Sequence, residues 1–392
     1  MQAAFEAGMA SLGPFGRAPL LAAGVSGGPH SLALAVLARD WVAARGGRLI
    51  ALVADHGLRA GSGAEAAGVL ARLRELGIAA RCLALDLGAG PGLHERARAA
   101  RFQALADACE AEGAPWLLLG HHRADQAETL AFRALRGSGA AGLAGIAAAR
   151  PASGALVLRP LLGVGPAAIE RFLAGLGLEP VRDPSNDDPR FARARLRQAL
   201  GDPEGPGVAA LAMAAEAFAL GRGRLRAAVA ERLAGAAWFQ DGGWARLDRA
   251  ALGNDAVAAA ALSALLRAVS GAEHPPPRAG VAALLARGGG TLGGVLWRGT
   301  LLCREAARCA GPVPARPGVV WDGRWRVLRA PAGAVIGALG GGGRRGALPA
   351  VVAAGLPAVR GPGGALLAVP GLSGPGHDGV SVEFRPFAGP VA

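Results

Sequence analysis

The chain has 392 residues, room for two or three domains of about 150 residues each with a substantial hydrophobic core, which excludes a peptide or a linker. Its 42 basic and 29 acidic residues leave a net charge of +13, while a composition 52% hydrophobic and 18% charged excludes wholesale disorder. Lysine and tyrosine are missing and 63 residues are glycine, so arginine in place of lysine says little; the positive excess, with a pI near 11.4, points to a polyanionic partner, nucleic acid ahead of a membrane surface.

No apolar run reaches the roughly 18 to 20 residues that a spanning helix needs, and residues 1–10 lack a basic stretch followed by an apolar one. A cytoplasmic protein with no membrane partner is expected. Cys82, Cys109, Cys303 and Cys309 form no C-x-x-C pair, so they read as buried thiols rather than as a metal site or a disulfide framework.

In chain order, short apolar runs at 20–25, 49–54, 79–85 and 116–119 alternate with amphipathic stretches at 31–44, 63–76, 93–112 and 124–136. This alternation predicts an α/β fold, a doubly wound parallel sheet, within an N-terminal domain spanning 1–200. Residues 201–207 read as a linker, and an Ala-rich stretch over 208–286 reads as helical, within a second domain at 208–310. From 316 to 392 the chain is dense in Gly and Pro, which fits a small β-rich module or a loosely ordered tail.

Ligands of open α/β sheets bind beyond the carboxyl ends of the strands, here the loops after Val25, Ala54 and Leu119. The first reads Ser26-Gly27-Gly28-Pro29-His30-Ser31. Its glycines allow positive φ, and successive N–H groups with a helix N-terminus can cradle a pyrophosphate, or the segment is a tight turn capped by Ser31. Gly24 to Gly28 also spell the G-x-S-x-G of a hydrolase elbow, but that fold needs several strands upstream and only some twenty residues precede Gly24.

The second loop places Asp55, His56 and Arg59 where a nucleotide base or ribose could be contacted. The third runs from His121 to Thr129; at helical spacing His121, Asp125 and Glu128 or Thr129 share a face, which allows a general base, an ion site, or acids complementing a helix dipole. Further on, Arg136 ends a helix, and Arg193, Arg195 and Arg197 alternate in a pattern that fits a phosphate backbone or a solvated helix face.

The ordered set of these segments resembles the bacterial tRNA(Ile)-lysidine synthetases of the PP-loop ATP pyrophosphatase group. It comprises residues 26–31, 53–59, 121–129, Arg136-Gly137-Ser138-Gly139 with Gly142-Leu143, Arg159-Pro160-Leu161-Leu162, and 183–186. The likeness continues more thinly at Thr291-Leu292-Gly293-Gly294 with Arg304-Glu305, Leu348-Pro349-Ala350 and Leu367-Ala368-Val369-Pro370. The resemblance implies ATP and Mg²⁺ as cofactors, tRNA(Ile) with a CAU anticodon and free L-lysine as partners, with a homodimer as one arrangement. It implies attack of the wobble cytidine O2 on the α-phosphate of ATP, then displacement of AMP at C2 by the lysine ε-amine.

On that resemblance Ser26, Gly27, Gly28, Pro29, His30, Ser31, Asp55 and His56 are the ATP-binding residues, His121 and Asp125 the catalytic pair, and Arg136, Arg193, Arg195 and Arg197 the tRNA contacts. Glu128 or an acid within 183–188 is the expected partner of the lysine. The metal ligands are not assigned, because the family loop reads S-G-G-x-D-S and its Asp position is His30 here. His30 could meet a phosphate as a cation, or Asp55 or Asp125 could hold the metal instead. The competing expectation is a tRNA-binding homologue impaired in catalysis by His30; a PP-loop tRNA thiolase would need paired cysteines.

Overall fold

The computed structural model describes residues 1–55, 57, 61–85, 87, 92–152, 154–181, 190, 192–341, 348–372 and 379–386, with residue 94 by its backbone alone. They form two compact units, Met1–Arg222 and Gly223–Ala392. No helix among the described residues is long and apolar enough to cross a membrane.

The first unit opens with helix α1 (Gln2–Leu12), which seats Phe5 and Met9 in the core. The alternation read from the sequence then appears as β1 (Leu20–Gly24), α2 (Pro29–Ala43), β2 (Arg48–Asp55), α3 (Ser62–Glu75), β3 (Ala79–Ala84), α4 (Leu93–Glu112), β4 (Trp116–Leu118) and α5 (Arg123–Leu135). The short helix α6 (Ala140–Leu143) leads into β5 (Ala149–Ala152), β6 (Ala155–Leu158), α7 (Pro166–Gly175) and α8 (Ala192–Leu200). The six strands lie in the order β3-β2-β1-β4-β6-β5, all parallel to their neighbours except β5, which hairpins onto β6.

Both faces of this sheet are covered. Leu21, Ala23, Val53 and Leu118 pack with Leu34, Leu37 and Leu173 on one side, and Ala22, Leu52, Leu117 and Val157 pack with Leu105 and Cys109 on the other. That is why β1, β2 and β4 read as unbroken apolar runs rather than as alternating ones. Strand order reverses direction between β1 and β4, so the crevice beyond their carboxyl ends is the natural ligand site. Cys82 departs from the expected buried thiols: it is exposed on β3, the sheet edge, whereas Cys109 and Cys303 are buried.

Helix α9 (Pro206–Ala236) contains the boundary between the units. The second unit continues with β7 (Ala237–Gln240), β8 (Trp244–Leu247), α10 (Arg249–Leu252), α11 (Ala256–Ser270), α12 (Arg278–Arg287), β9 (Gly290–Leu292), β10 (Val295–Arg298) and β11 (Leu301–Arg304). The helical reading of 208–286 is therefore corrected by a hairpin at its middle. Trp238, Phe239 and Trp244 flank the turn Asp241-Gly242-Gly243, strand formers around a turn that interrupt the Ala-rich pattern. These strands form an antiparallel sheet ordered β7-β8-β11-β10-β9, whose inner face, Ala245, Leu302 and Trp297, packs on Leu262, Leu265 and Leu266 of α11.

The C-terminal segment is β-rich. It contains β12 (Val313–Pro314), β13 (Val320–Trp321), β14 (Trp325–Arg329), β15 (Val335–Ala338), the single-turn helix α13 (Ala350–Ala353), β16 (Pro357–Arg360), β17 (Leu366–Ala368) and β18 (Ser381–Phe384). Two small sheets, β12-β15-β16-β17 and β13-β14-β18, enclose Trp321, Trp325, Val327, Ile336 and Val359.

Candidate active site at the β1/β4 crevice

The loop leaving β1 is held by its own hydroxyls. Ser31 Oγ donates to the Gly28 carbonyl at 3.0 Å and accepts from the Ser26 N–H at 3.1 Å, with the two hydroxyls 3.2 Å apart. Gly28 is the N-cap of α2 and Pro29 its first helical residue, which leaves the helix N-terminus facing the loop. Gly27 has φ +80°, and a Cβ there would lie 2.5 Å from Val69, so both conformation and space demand glycine. The Gly27 carbonyl accepts from the Val181 N–H at 2.9 Å. The loop is thus a closed backbone turn with exposed Ser26 at its rim, the form expected of an anion cradle.

The neighbouring loop from β4 comes against it. A Cβ on Gly120 would sit 2.8 Å from the His30 carbonyl oxygen and 3.1 Å from the Ser31 nitrogen, so only glycine lets the two loops touch. Helix α5 begins at Arg123, one residue ahead of the stretch read at 124–136, with His122 as its N-cap. His121 therefore lies outside the helix, and the expected one-face convergence of His121 with Asp125 does not form. Instead Asp125 Oδ2 accepts the His122 N–H at 2.9 Å and lies 3.5 Å from His122 Nε2, since an acid at the third helical position reaches back to the cap. The His122 ring meets that of His30 edge-on, centroids 4.0 Å apart.

His121 turns to Arg159, a buried residue between β6 and α7, whose Nε–H donates to His121 Nδ1 at 3.2 Å. That bond leaves Nε2 to carry the proton of the neutral ring. Arg159 is itself anchored on the Ala147 carbonyl at 2.7 Å.

Burial sets the electrostatics. It lowers His30 to about 4, with His122 adding to the shift, and lowers His122 to about 4. His121 falls to about 3 through burial and then the Arg159 and Arg98 guanidiniums. With these shifts all three imidazoles favour the neutral form at pH 7, because burial disfavours the charged ring. Burial also raises Asp125 above the ordinary carboxyl range, against the pull of the His122 N–H and of Arg197 and Arg193. Arg159 drops to about 10 for the same reason, next to Arg150 and Arg98.

Glu128, 3% exposed, is gripped by Arg197 through Nε–Oε1 at 2.7 Å and Nη2–Oε2 at 3.2 Å. Both carboxylate oxygens are engaged in holding α8 to α5, and a lysine could reach Glu128 only by displacing Arg197. The alternating arginines lie on helix α8, where i and i+4 share a face and i+2 does not. Arg193 and Arg197 thus point together toward the crevice, their charges acting on Asp125, while Arg195 donates to the Arg190 carbonyl at 3.0 Å. The single stripe suggested by the spacing does not exist. Arg136 is exposed at the end of α5, its guanidinium 4.5 Å over the Phe132 ring.

Asp55 ends β2, accepting the Gly57 N–H at 3.0 Å. His56, Arg59 and the acids of 183–188 lie outside the described residues. Sequence reasoning missed His122 as the partner of Asp125 and Arg159 as the partner of His121. The first had a signal, an acid three residues after a polar cap, whereas the second joins residues 38 apart and had none.

The PP-loop domain family matches residues 5–204. The chain is 38% identical over 337 residues to a tRNA(Ile)-lysidine synthase of Novosphingobium aromaticivorans, covering 83% of this chain and 93% of that protein. A relative of the same description from Mesorhizobium japonicum is 38% identical over 323 residues, 77% of this chain and 71% of that one. Among solved structures, a U34-tRNA thiolase from Methanococcus maripaludis matches with a TM-score of 0.45 at 18% identity, over 57% of this chain and 78% of that one. By the extent of the PP-loop match and of the two synthase alignments, the chain belongs to the tRNA(Ile)-lysidine synthase family of ATP-binding PP-loop enzymes.

Proposed function

We propose that this chain joins the ε-amine of free L-lysine to C2 of the wobble cytidine of tRNA(Ile) with a CAU anticodon, at the expense of ATP, in the cytoplasm. The observation that carries this reading is the meeting of the Ser26–Ser31 turn with Gly120, His122 and Asp125 at the β1/β4 crevice. In the first step cytidine O2 bonds to the α-phosphorus of ATP and pyrophosphate departs. Backbone N–H groups of residues 26–31 and the N-terminus of α2 receive the leaving anion. In the second, the amine nitrogen bonds to C2, AMP leaves, and the amine loses a proton.

The structure favours Asp125 as the acceptor of that proton: its raised pKa strengthens it as a base, and the His122 N–H fixes one oxygen while the other stays available. His121, with Nδ1 occupied, serves as an Nε2–H donor to a developing anion rather than as the base. Arg193 and Arg136 supply phosphate contacts, and Arg197 and Arg195 shape α8. Residues 208–310 and 316–392 act as the modules that grip the tRNA, with a homodimer as the assembly. Mg²⁺ does not fit the described residues of the crevice, because His30 and His122 offer imidazole nitrogen where it requires oxygen, and the open oxygen of Asp125 is a single hard ligand. No step is therefore routed through a protein-bound metal.

A second reading, a tRNA-binding homologue without catalysis, is favoured by one observation, the imidazole where the family carries a carboxylate. Radiolabelled lysine, Mg-ATP and the CAU tRNA(Ile) transcript decide between them, with His30→Asp in parallel. Incorporation by the unaltered protein, raised by His30→Asp, is the expected result. Failure of both, with tRNA binding retained by both, would establish the second reading.

A further inference from the structure

Six of the seven tryptophans are packed: Trp41, Trp244, Trp297, Trp321 and Trp325 are buried, and Trp116 meets the Phe15 ring at 5.3 Å. Trp238 is the exception, 51% exposed on β7. Its strand lies at the edge of the five-stranded sheet, and register places it opposite Arg246 of β8. Arg246 stands opposite Leu301 of β11, and Leu301 opposite Arg298 of β10. Directly opposed residues share a face, so Trp238, Arg246, Leu301 and Arg298 form one row across four strands. Neighbours in it have Cβ atoms about 5 Å apart, giving a row about 15 Å long.

The next residue along each strand, Phe239, Ala245, Leu302 and Trp297, faces the core instead. On the row's own face, Trp244, Cys303 and Leu296 lie two residues on and are covered by Val352, Ala353 and Leu356. The row itself is left uncovered, with Arg246 and Arg298 exposed and Leu301 half-buried between them. Neither guanidinium nor the Trp238 indole has a hydrogen bond, ion pair or ring contact among the described residues, and no acid stands in the row. Elsewhere in the same unit arginines are tied down, as Arg232 is by Asp255 and Arg304 by Asp322.

We propose that this row is an RNA-binding platform, on which an unpaired base stacks against the Trp238 indole while adjoining phosphates pair with Arg246 and Arg298. An aromatic face at the end of a row that carries two unpaired guanidiniums is an arrangement that single-stranded nucleic acid recognises, base on ring and phosphate on cation, without any requirement for a particular base. The apolar Leu301 gives the sugar a surface to lie on. The choice of RNA over another polyanion rests on the tRNA substrate proposed above, and the net charge of +13 favours the same class.

The test uses the full chain and the CAU tRNA(Ile) transcript, with filter binding over a range of salt and lysine incorporation in parallel. Trp238→Ala should weaken tRNA binding and raise the KM for tRNA by about tenfold or more, leaving the KM for ATP and for lysine unchanged, while Trp238→Phe restores most of the affinity. The double variant Arg246→Ala with Arg298→Ala should lower the slope of log K against log salt by about 1.5, and it carries the test should Trp238→Ala fail to fold. Unchanged affinity in Trp238→Ala and an unchanged salt slope in the arginine variant would overturn the platform while leaving the ligase reading intact. A change in the sedimentation of the free protein on Trp238→Ala, with tRNA affinity unaltered, would also overturn it and make the row an interface between copies. Binding that depends on Trp238 in a protein that incorporates no lysine would uphold the platform and remove the ligase.

Discussion

His30, His121 and His122 are three imidazoles at the β1/β4 crevice, the last buried and the first two half-buried, and their protonation is a cost that the fold imposes. Each has a folded pKa, at about 4, 3 and 4, below the 6.5 of a free imidazole, so the unfolded chain binds protons that the folded one refuses. Their contribution to stability is complete above pH 6.5 and is lost as pH falls from there toward 4. Urea midpoints measured between pH 7.5 and 5 should decline, and His122→Asn should flatten that decline. Glu128 and Arg197 make a second point at this scale. The carboxylate is almost wholly covered and the guanidinium is half open, so Arg197→Ala strands a buried charge and should cost about 1–3 kcal/mol of unfolding free energy. Replacing both, as Glu128→Gln with Arg197→Met, should cost less than that single change when the same denaturation curve is recorded.

Between elements, the controlling contact is the approach of the β4 loop to the first turn of α2. Gly120→Ala would drive a methyl into the His30 carbonyl at 2.8 Å, against backbone rather than a flexible side chain. A loss of about 1–3 kcal/mol in stability is expected, together with a higher KM for ATP, because α2 must shift and carry its N-terminus and residues 26–31 with it. Denaturant titration with ATP-dependent turnover checks both, and a KM left unchanged would separate the contact from the nucleotide site. The strand-to-helix alternation of the first unit could be read from the sequence because the central parallel strands β1, β2 and β4 are apolar on both faces. The hairpin β7–β8 was hidden by the Ala-rich stretches around it, although Trp238, Phe239 and the Gly-Gly turn were strand and turn signals in plain view.

At the scale of the whole molecule, one buried carboxylate joins two sheets within the second unit. Asp322 accepts from Arg304 at 2.9 and 3.0 Å, from Arg324 at 2.6 and 3.0 Å and from the Ala310 N–H at 2.9 Å, with Arg324 1% exposed. It ties β11 of the five-stranded sheet to the turn between β13 and β14 of the C-terminal segment. Asp322→Ala leaves two guanidiniums without their anion and should cost about 3–5 kcal/mol, read as a fall in the melting temperature of the full chain. Nothing in the local pattern around Asp322 signalled this, since its partner Arg304 is 18 residues away and on another sheet.

The sequence by itself determined the doubly wound α/β architecture of the first unit, the loops after Val25 and Leu119 that meet at the crevice, the family, and the exception at His30. Apolar period, glycine placement and motif order are local properties that a linear chain carries openly. Only the tertiary structure decided that Asp125 answers to His122, that His121 answers to Arg159, that Arg197 is bound by Glu128 and that Trp238 stands uncovered among arginines. Those facts depend on where helices begin and which distant side chains share a burial site, and no spacing along the chain encodes either.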